Sequence, residues 1–208
     1  MTSSEMRDSE LFMRNGFEGT GKLGIPLIKK QELDFSSDVR LLSYADTKAN
    51  ESPEYQKYGV HFFVDDYRFE GIYDQPQRSF KRLSQYSFLL SPDHSQYYEM
   101  KPWRQIESVA HNRWVGAWWQ SKGLKVVATI SWSSPSSFEY SFEGVEQNAP
   151  VAIGMIGCKQ SRFNFMRGYD AMLERLNPSA IICLGKPYDE MRGNLIVVDY
   201  MTSRKKVR

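Results

Sequence analysis

The chain has 208 residues, of which 41% are hydrophobic and 14% aromatic, an ordinary globular composition with enough length for one sizeable core. Its 27 basic and 25 acidic residues leave a formal net charge of +2 at pH 7, which excludes a strong general attraction to nucleic acid. The sequence has no apolar run of about 18 residues and no basic and apolar N-terminal segment, so neither a membrane span nor a secretory signal is expected.

The two ends of the chain are predicted to lie outside the folded core. Residues 1–15 are expected to form a flexible N-terminus, residues 16–200 a single α/β domain, and residues 201–208 a basic tail. Four of the last five residues of that tail are basic. Such a segment could contact nucleic acid phosphates or simply be solvated.

Residues 16–24 contain two literal glycine motifs. Residues 19–24 match G-x-G-x-x-G and residues 16–22 match G-x-x-x-x-G-K, both of which occur in phosphate-binding loops that open a helix. Pro26 follows closely and disfavours a helix, and Leu23 stands where the second motif needs Ser or Thr. We therefore expect a glycine-rich surface turn rather than a phosphate loop.

Apolar runs alternate with helical periodicity along the rest of the chain. Strands are predicted at residues 39–44, 60–64, 88–90, 125–132, 151–156, 180–184 and 195–198, and helices at residues 77–84, 102–122 and 162–176. This order predicts a single α/β domain with a mostly parallel sheet and flanking helices. The arrangement could be open or barrel-like (β/α), and the uniformly apolar strands indicate that both faces of the sheet are covered.

The helix predicted at residues 102–122 begins at a proline and ends before Gly123. Its apolar stripe, which should face the core, is Trp103, Ile106, Ala110, Trp114 and Ala117. Arg113 and Gln120 lie beside that stripe on one helical face and are substrate-binding candidates. Arg113 could form an ion pair with a carboxylate at the sheet or bind an anion through its planar guanidinium. Trp119 lies roughly opposite the stripe, either packed on another element or exposed as a contact.

Acidic residues directly follow two of the predicted strands. Asp65 and Asp66 end the strand at residues 60–64, and Asp93 follows the strand at residues 88–90. Because α/β proteins build sites at the carboxyl ends of their strands, these three are the catalytic candidates. They could supply a general base or hold a divalent cation such as Mg²⁺. The competing interpretation is that each caps a helix or bonds loop N–H groups.

Other candidates also lie at strand ends. Trp132 could stack on a ring-shaped ligand, with packing as the alternative, and Lys186 could supply a positive charge, so both are substrate-binding candidates. Among the histidines, His61 is predicted in the core and His111 at the surface. His94, beside an acidic strand exit, could titrate near neutrality but is more simply a polar loop residue.

The two cysteines, Cys158 and Cys183, each lie in or at the end of an apolar run. This position is typical of buried thiols in a reducing compartment. Their surroundings contain no metal-ligand spacing.

Five sequence blocks carry a resemblance: HFFVDDYRFEGIYDQP, LLSPDHSQY, NRWVGAWWQSKGLKVV, ISWSSPSSFEYSFEGV and LNPSAIICLGKP. In this order they resemble an uncharacterised family of phage and mobile-element proteins, known only as a domain of unknown function. The matching positions are Asp65, Asp66, Phe69, Pro92, Asp93, Asn112, Arg113, Gln120, Trp132 and Gly185. His94 departs from the pattern, because the family's S-P-D-F-S block leads us to expect Phe, and this puts a catalytic role for His94 in doubt. The resemblance implies a bacterial or phage setting and no particular reaction.

Three functional hypotheses follow. The first is a phage-type accessory enzyme that acts on a nucleotide-like or phosphorylated substrate, or on nucleic acid, through strand-end carboxylates and Mg²⁺. The second is a non-catalytic protein that binds a host or replication protein through exposed aromatic residues such as Trp119. The third is nucleic-acid binding through the basic tail. All three place the protein in the cytoplasm of a bacterial host, without a membrane partner.

Overall fold

The computed structural model describes residues 2–36, 38–156 and 161–205. The helices are α1 (Ser3–Arg7), α2 (Glu10–Met13), α3 (Pro53–Gln56), α4 (Gly71–Asp74), α5 (Pro76–Leu83), α6 (Pro102–Ser121), α7 (Phe138–Ser141) and α8 (Arg162–Leu176). The strands are β1 (Gly19–Thr20), β2 (Ile25–Pro26), β3 (Leu41–Ser43), β4 (Gly59–His61), β5 (Phe88–Leu90), β6 (Val126–Thr129), β7 (Val151–Gly154), β8 (Ile181–Leu184) and β9 (Leu195–Val198). None of the helices in these ranges combines the length and the apolarity needed to cross a bilayer.

Strands β3 to β9 form one seven-stranded sheet in which every strand pairs in parallel with the next strand along the chain. The sheet curls into a half-barrel with helices on its outside. This architecture confirms the predicted α/β class and its parallel sheet. It also brings the loops that follow the strands to one end of the half-barrel.

The two faces of the sheet bury separate apolar clusters. The inner face carries Leu41, Phe88, Leu90, Val127, Ala152, Ile182, Leu184 and Val198. The outer face, which packs against the helices, carries Val60, Leu89, Val126, Ala128, Val151, Ile153, Ile181 and Cys183. Because successive side chains of a strand point to opposite faces, strands buried on both sides need continuous apolar runs, as this sequence has. The second predicted thiol, Cys158, lies outside the described residues.

The glycine motifs form the turn of a short hairpin; the sequence predicted the turn but not the two strands. Strands β1 and β2 pair antiparallel, with Thr20 opposite Ile25. Gly21 and Gly24 in the connecting turn have φ values of 64° and 63°, a region that favours glycine. No helix begins after this turn, so the segment lacks the helix start that a phosphate loop requires.

The N-terminus, predicted to be flexible, contains the two short helices α1 and α2. Thr2 and Glu5 form a capping box at the N-terminal end of α1. The second ends at Arg14, whose guanidinium lies 4.1 Å from the ring centroid of Tyr73 and 3.9 Å from that of Trp114. These cation–π contacts attach the segment to α4 and α6.

Helix α6 begins at the predicted residue and ends one residue before the predicted end, but the prediction of its buried face was partly wrong. Trp103 is 67% exposed, although it was assigned to the core stripe, whereas Trp119 is fully buried and packs 5.5 Å from the ring of Phe62. The physical reason is that α6 is covered on two sides, by the sheet and by the N-terminal segment around Ile28. A single apolar stripe therefore underestimates the buried surface of this helix.

The segment after β9 packs back against β3 and β4. Ser203 lies 2.9 Å from Nε2 of the buried His61, Arg204 pairs with Asp46, and Lys205 pairs with the buried Glu51 at 2.6 Å. The first two charges of the predicted nucleic-acid tail are thus neutralised within the protein. Residues 206–208 lie outside the described residues.

Candidate functional site

The loops that leave β5, β6 and β7 enclose a cavity of about 280 Å³, called here the β5–β7 cavity. One part of its wall is polar and the other is aromatic or aliphatic. The lining residues are Asp93, Ser95, Gln96, Tyr97, Ile130, Ser131, Trp132, Ile153, Gly154, Ile156 and Phe165. No lysine or arginine among the described residues lines it. The cavity lies at the carboxyl ends of the strands, where the sequence placed the site.

Asp93 is the ionisable group of this cavity. Its Oδ1 atom is buried and has no hydrogen-bond partner among the described residues. Burial and the nearby Asp66 carboxylate raise the pKa of Asp93 to about 7, against the lowering effects of the Ser131 hydroxyl and the Arg113 guanidinium. Near neutral pH the Asp93 carboxyl therefore exists in both protonation states.

Three other polar side chains of the cavity wall, Ser95, Gln96 and Ser131, are already engaged within the protein. The Gln96 amide donates to the carbonyl and hydroxyl oxygens of Ser131, both at 3.0 Å, and accepts from the Ser141 hydroxyl at 2.9 Å. The Ser95 hydroxyl donates to Asp66 at 2.8 Å. A buried polar atom without a partner costs free energy, so Oδ1 of Asp93 is the lining group with most to gain from a ligand.

The aromatic wall is fixed by packing. Trp132 lies 5.0 Å from the ring of Phe165 and 6.1 Å from that of Phe142. Its indole also lies directly against α8 at Gly168, where a Cβ atom would come within 2.1 Å of Nε1. A glycine in the middle of a helix destabilises it by roughly 0.5–1 kcal/mol relative to alanine, a cost that is explained here by the close approach of Trp132.

Asp65 and Asp66, predicted beside Asp93, differ in their surroundings. Asp66 accepts hydrogen bonds from the backbone N–H of Ser95 at 3.0 Å and from its hydroxyl, which ties the loop after β4 to the loop after β5. Asp65 is exposed and pairs with Arg68 at 3.7 Å. The described residues contain no group of three His, Cys, Asp or Glu side chains placed to hold a metal ion. The three carboxylates thus do not converge as the predicted Mg²⁺ site.

Arg113 is a structural residue in this fold. It is 2% exposed, and its guanidinium donates to the carbonyl oxygens of Thr129, Ser141 and Glu143, each at 2.9 Å, and to the side chain of Asn112. The sequence predicted a carboxylate partner or an anion, and the described contacts are carbonyl groups instead. Burial lowers the pKa of Arg113 to about 9, and the charge of Asp93 opposes this effect, so the guanidinium remains charged at neutral pH.

Gln120 and Lys186 do not line the β5–β7 cavity. Gln120 lies near the end of α6, at the amino ends of the strands, where its amide donates to the carbonyl of Lys29 and accepts from the N–H of that residue. The amide also donates to Gln31. Gln120 therefore fixes the N-terminal segment. Lys186 is exposed after β8.

The three histidines act as aromatic or core residues. His94 packs edge-on against Phe69 and His111, and burial lowers its pKa to about 3. This aromatic setting agrees with the expectation of Phe at position 94. His111 is half-buried and stacked on Tyr73 at 3.6 Å, not at the surface as predicted. His61 is buried as predicted, and its Nδ1 accepts a hydrogen bond from the N–H of Phe63. The neutral ring therefore carries its proton on Nε2, which faces Ser203, so it cannot act as the base of a catalytic Ser–His pair.

Several lining residues carried no sequence signal. Ser131 and Gln96 belong to no motif, and Phe165 appears in the sequence only as an apolar residue of α8. Their convergence depends on the register of β6 against β7 and on where α8 packs. The glycine at position 168 was the one available hint that a large side chain contacts α8 closely.

Comparison with known proteins places this geometry in a family context. The family described as Domain of unknown function (DUF4417) matches residues 17–201. The Gene 1 protein of Mycobacterium phage D29 is 32% identical over 160 residues, which cover 72% of this chain and 59% of the relative. The Gene 1 protein of Mycobacterium phage L5 is 35% identical over 130 residues, 61% of this chain and 57% of the relative. The chain thus spans less than two thirds of these relatives, and no solved structure matches it.

Proposed function

For this chain, which belongs to the family described as Domain of unknown function (DUF4417) and is similar to two phage proteins, we propose an enzymatic function. The proposed substrate is nucleotide-like. The β5–β7 cavity holds the ring of the substrate, and Asp93 is the general acid–base. The observation that carries the proposal is the Oδ1 atom of Asp93, which is buried at the cavity and has no hydrogen-bond partner among the described residues. The phage relatives suggest the cytoplasm of a bacterial host as the setting.

The size and shape of the cavity support a single ring as the ligand. A volume of about 280 Å³ lies just below the roughly 300–1,000 Å³ that is typical of ligand pockets, so it suits a nucleobase or nucleoside better than a dinucleotide cofactor. Trp132 supplies an aromatic face for stacking. Asp93 stands at the polar side, where the edge of a base presents hydrogen-bonding groups.

The charge state of Asp93 supports acid–base chemistry. A catalytic carboxyl is most effective when its pKa lies near the working pH, and burial together with Asp66 brings the pKa of Asp93 to about 7. In this proposal Asp66 is a positioning residue, because it holds Ser95 and raises the pKa of Asp93. Asp65 has no part in the chemistry.

Binding of free nucleosides tests the ring site. Adenosine, guanosine, cytidine and thymidine are titrated separately into the wild type, Asp93→Asn and the exposed control Asp65→Asn, with calorimetry as the readout. We expect one of them to bind the wild type and Asp65→Asn equally, and Asp93→Asn about tenfold or more weakly, because one hydrogen bond to a charged group is lost. If no nucleoside binds the wild type, or Asp93→Asn binds equally well, the ring site is wrong.

Turnover tests the acid–base assignment. The nucleoside that binds, and its monophosphate, are incubated with the protein, and a change in mass is followed by mass spectrometry. We expect turnover with a pH profile that has a limb near 7, and its loss in Asp93→Asn. Binding without any change in mass would show a binding protein and refute the enzyme.

A second candidate is a non-catalytic interaction protein. Trp119, the predicted anchor, is buried, but Tyr98 and Trp103 on the loop and helix after β5 are 70% and 67% exposed. Exposed aromatic residues of this kind are common anchors of protein interfaces. The double variant Tyr98→Ser/Trp103→Ser separates the candidates: it loses a co-purifying host protein if the second holds, and it keeps nucleoside turnover if the first holds.

A further inference from the structure

A second cavity, of about 300 Å³, lies beside the exits of β3 and β4 and is called here the arginine cavity. Three arginines from two elements line it. Arg68 comes from the turn after β4, and Arg78 and Arg82 lie four residues apart on α5, hence on one face of that helix. Asp74 is the acidic residue among its described lining residues. The cavity therefore carries a net positive charge.

The three guanidinium groups are not explained by the stability of the fold. Like charges four residues apart on a helix repel each other by a few tenths of a kcal/mol. The position of Arg82 in the last turn of α5 offsets this repulsion, because a cation there interacts favourably with the helix dipole. The ion pair of Arg68 with Asp65 is long, at 3.7 Å, and exposed, and such pairs contribute little. The described contacts of these arginines, which include cation–π contacts of Arg68 with Tyr67 and of Arg82 with Tyr44, thus stabilise the fold only weakly.

The cavity is partly preorganised for a ligand. The guanidinium of Arg82 lies 4.6 Å from the ring centroid of Tyr44, which limits its motion, and Arg82 itself is half-buried. A concave site lined by charges of one sign focuses their field on the space between them. Guanidinium groups bind phosphate through two parallel hydrogen bonds.

We propose that the arginine cavity is a binding site for a phosphate group. The phosphate belongs either to a small phosphorylated molecule or to a nucleic acid backbone, which share this chemistry. The site is separate from the β5–β7 cavity, which has no lysine or arginine among its described lining residues. The two are connected through the turn Asp66–Arg68, since Asp66 holds Ser95 in one cavity wall and Arg68 lines the other cavity.

Titration of inorganic pyrophosphate tests the site directly. The variants are Arg78→Gln, Arg82→Gln and Lys81→Gln, the last being a matched control because Lys81 is an exposed cation on α5 that does not line the cavity. We expect each arginine variant to bind pyrophosphate about tenfold or more weakly than the wild type, and Lys81→Gln to stay within about twofold. No binding by the wild type, or an equal loss in Lys81→Gln, overturns the proposal. Thermal unfolding verifies that each variant is folded.

Two further arms identify the source of the phosphate. If a short oligothymidylate binds more tightly than pyrophosphate and its binding falls steeply with salt, the source is a nucleic acid backbone. If adenosine monophosphate binds at least as tightly as the oligonucleotide, the source is a small molecule. Asp93→Asn is expected to bind pyrophosphate like the wild type, so failure of the ring site and failure of this site are distinguishable.

Discussion

Arg113 on α6 and Asp93 after β5 are both ionisable groups with buried polar atoms, and they differ in how fully those atoms are hydrogen-bonded. On α6, the guanidinium of Arg113 has a carbonyl or amide oxygen for each of its nitrogen atoms. At the exit of β5, Oδ1 of Asp93 is buried without a described partner. Burial of a charge is therefore not in itself a sign of function. A fully hydrogen-bonded charge joins elements of the fold, whereas one left unsatisfied beside a cavity is the better candidate for contact with a ligand.

The largest expected effect on the free energy of unfolding comes from Arg113, the buried charge whose hydrogen bonds are all made. Arg113→Met removes a donor from three carbonyl groups and from Asn112, and it empties a buried site that joins α6 to the segment around α7. The Thr129 carbonyl and Asn112 Oδ1 each keep one other donor, but we still expect the free energy of unfolding to fall by about 3–5 kcal/mol. Urea denaturation measures this. The control Arg192→Met removes an exposed ion pair with Asp170 and should cost less than about 1 kcal/mol. Equal losses in the two variants would contradict the structural role of Arg113.

The next largest effect on stability comes from Asp93, the buried carboxyl with an unpaired oxygen, and it depends on pH. The pKa of Asp93 is raised on folding from 3.8 to about 7, so its contribution to stability is full below about pH 4 and is lost as the pH rises to about 7. Asp93→Asn lacks this loss. We expect it to gain stability relative to the wild type by up to about 1.4 kcal/mol for each pH unit in that window. Urea denaturation at about pH 4.5, 6 and 8 measures the difference; parallel curves would contradict the raised pKa.

His94 sharpens the comparison, because its Nε2 atom is also buried without a described partner, yet its ring packs between aromatic residues and does not line the β5–β7 cavity. Burial lowers its pKa to about 3, so its contribution to stability is present above about pH 6.5 and is lost as the pH falls toward 3. We expect His94→Phe to be more stable than the wild type near pH 5, by up to about 2 kcal/mol, and similar near pH 7.5. Destabilisation at both pH values would mean that position 94 needs its ring nitrogen.

The smallest effect concerns Gln120, a saturated group like Arg113 but at the opposite end of the sheet. Gln120→Ala removes the hydrogen bonds that hold residues 29–31, and we expect a loss of about 1–2 kcal/mol in the free energy of unfolding with nucleoside binding unchanged. The exposed Gln77→Ala on α5 is the control, with an expected change within about 0.5 kcal/mol. Weaker nucleoside binding by Gln120→Ala would return this residue to the site.

Most of the fold could be predicted from local patterns. Helix α8 and strands β5 and β9 lie at the predicted residues, because their ends coincide with clear breaks in apolar periodicity. The buried face of α6 could not be predicted in full. Trp119 lies away from the main apolar stripe, and its burial depends on α6 being covered from two sides.

The site was predictable in part for the same physical reason. Asp93 and Trp132 stand at strand ends, which the strand pattern reveals, and both line the β5–β7 cavity. Their neighbours Ser131, Gln96 and Phe165 come together through strand register and helix packing, which are tertiary properties. The saturation of Arg113 by carbonyl groups is equally invisible in a sequence, since every residue carries a carbonyl.

The one-after-another order of strands β3 to β9 also bears on how the chain reaches its shape during synthesis. Paired positions are separated by 14 residues between Ile181 and Leu195 and by 37 between Leu89 and Val126. Because each strand pairs with the one before it in the chain, its partner has already been synthesised when it emerges. Short loop closures cost little entropy and favour fast pairing. The sheet can therefore form strand by strand in the direction of translation. The segment after β9 is synthesised last, and it then makes its contacts with residues of β4 and of the turn after β3.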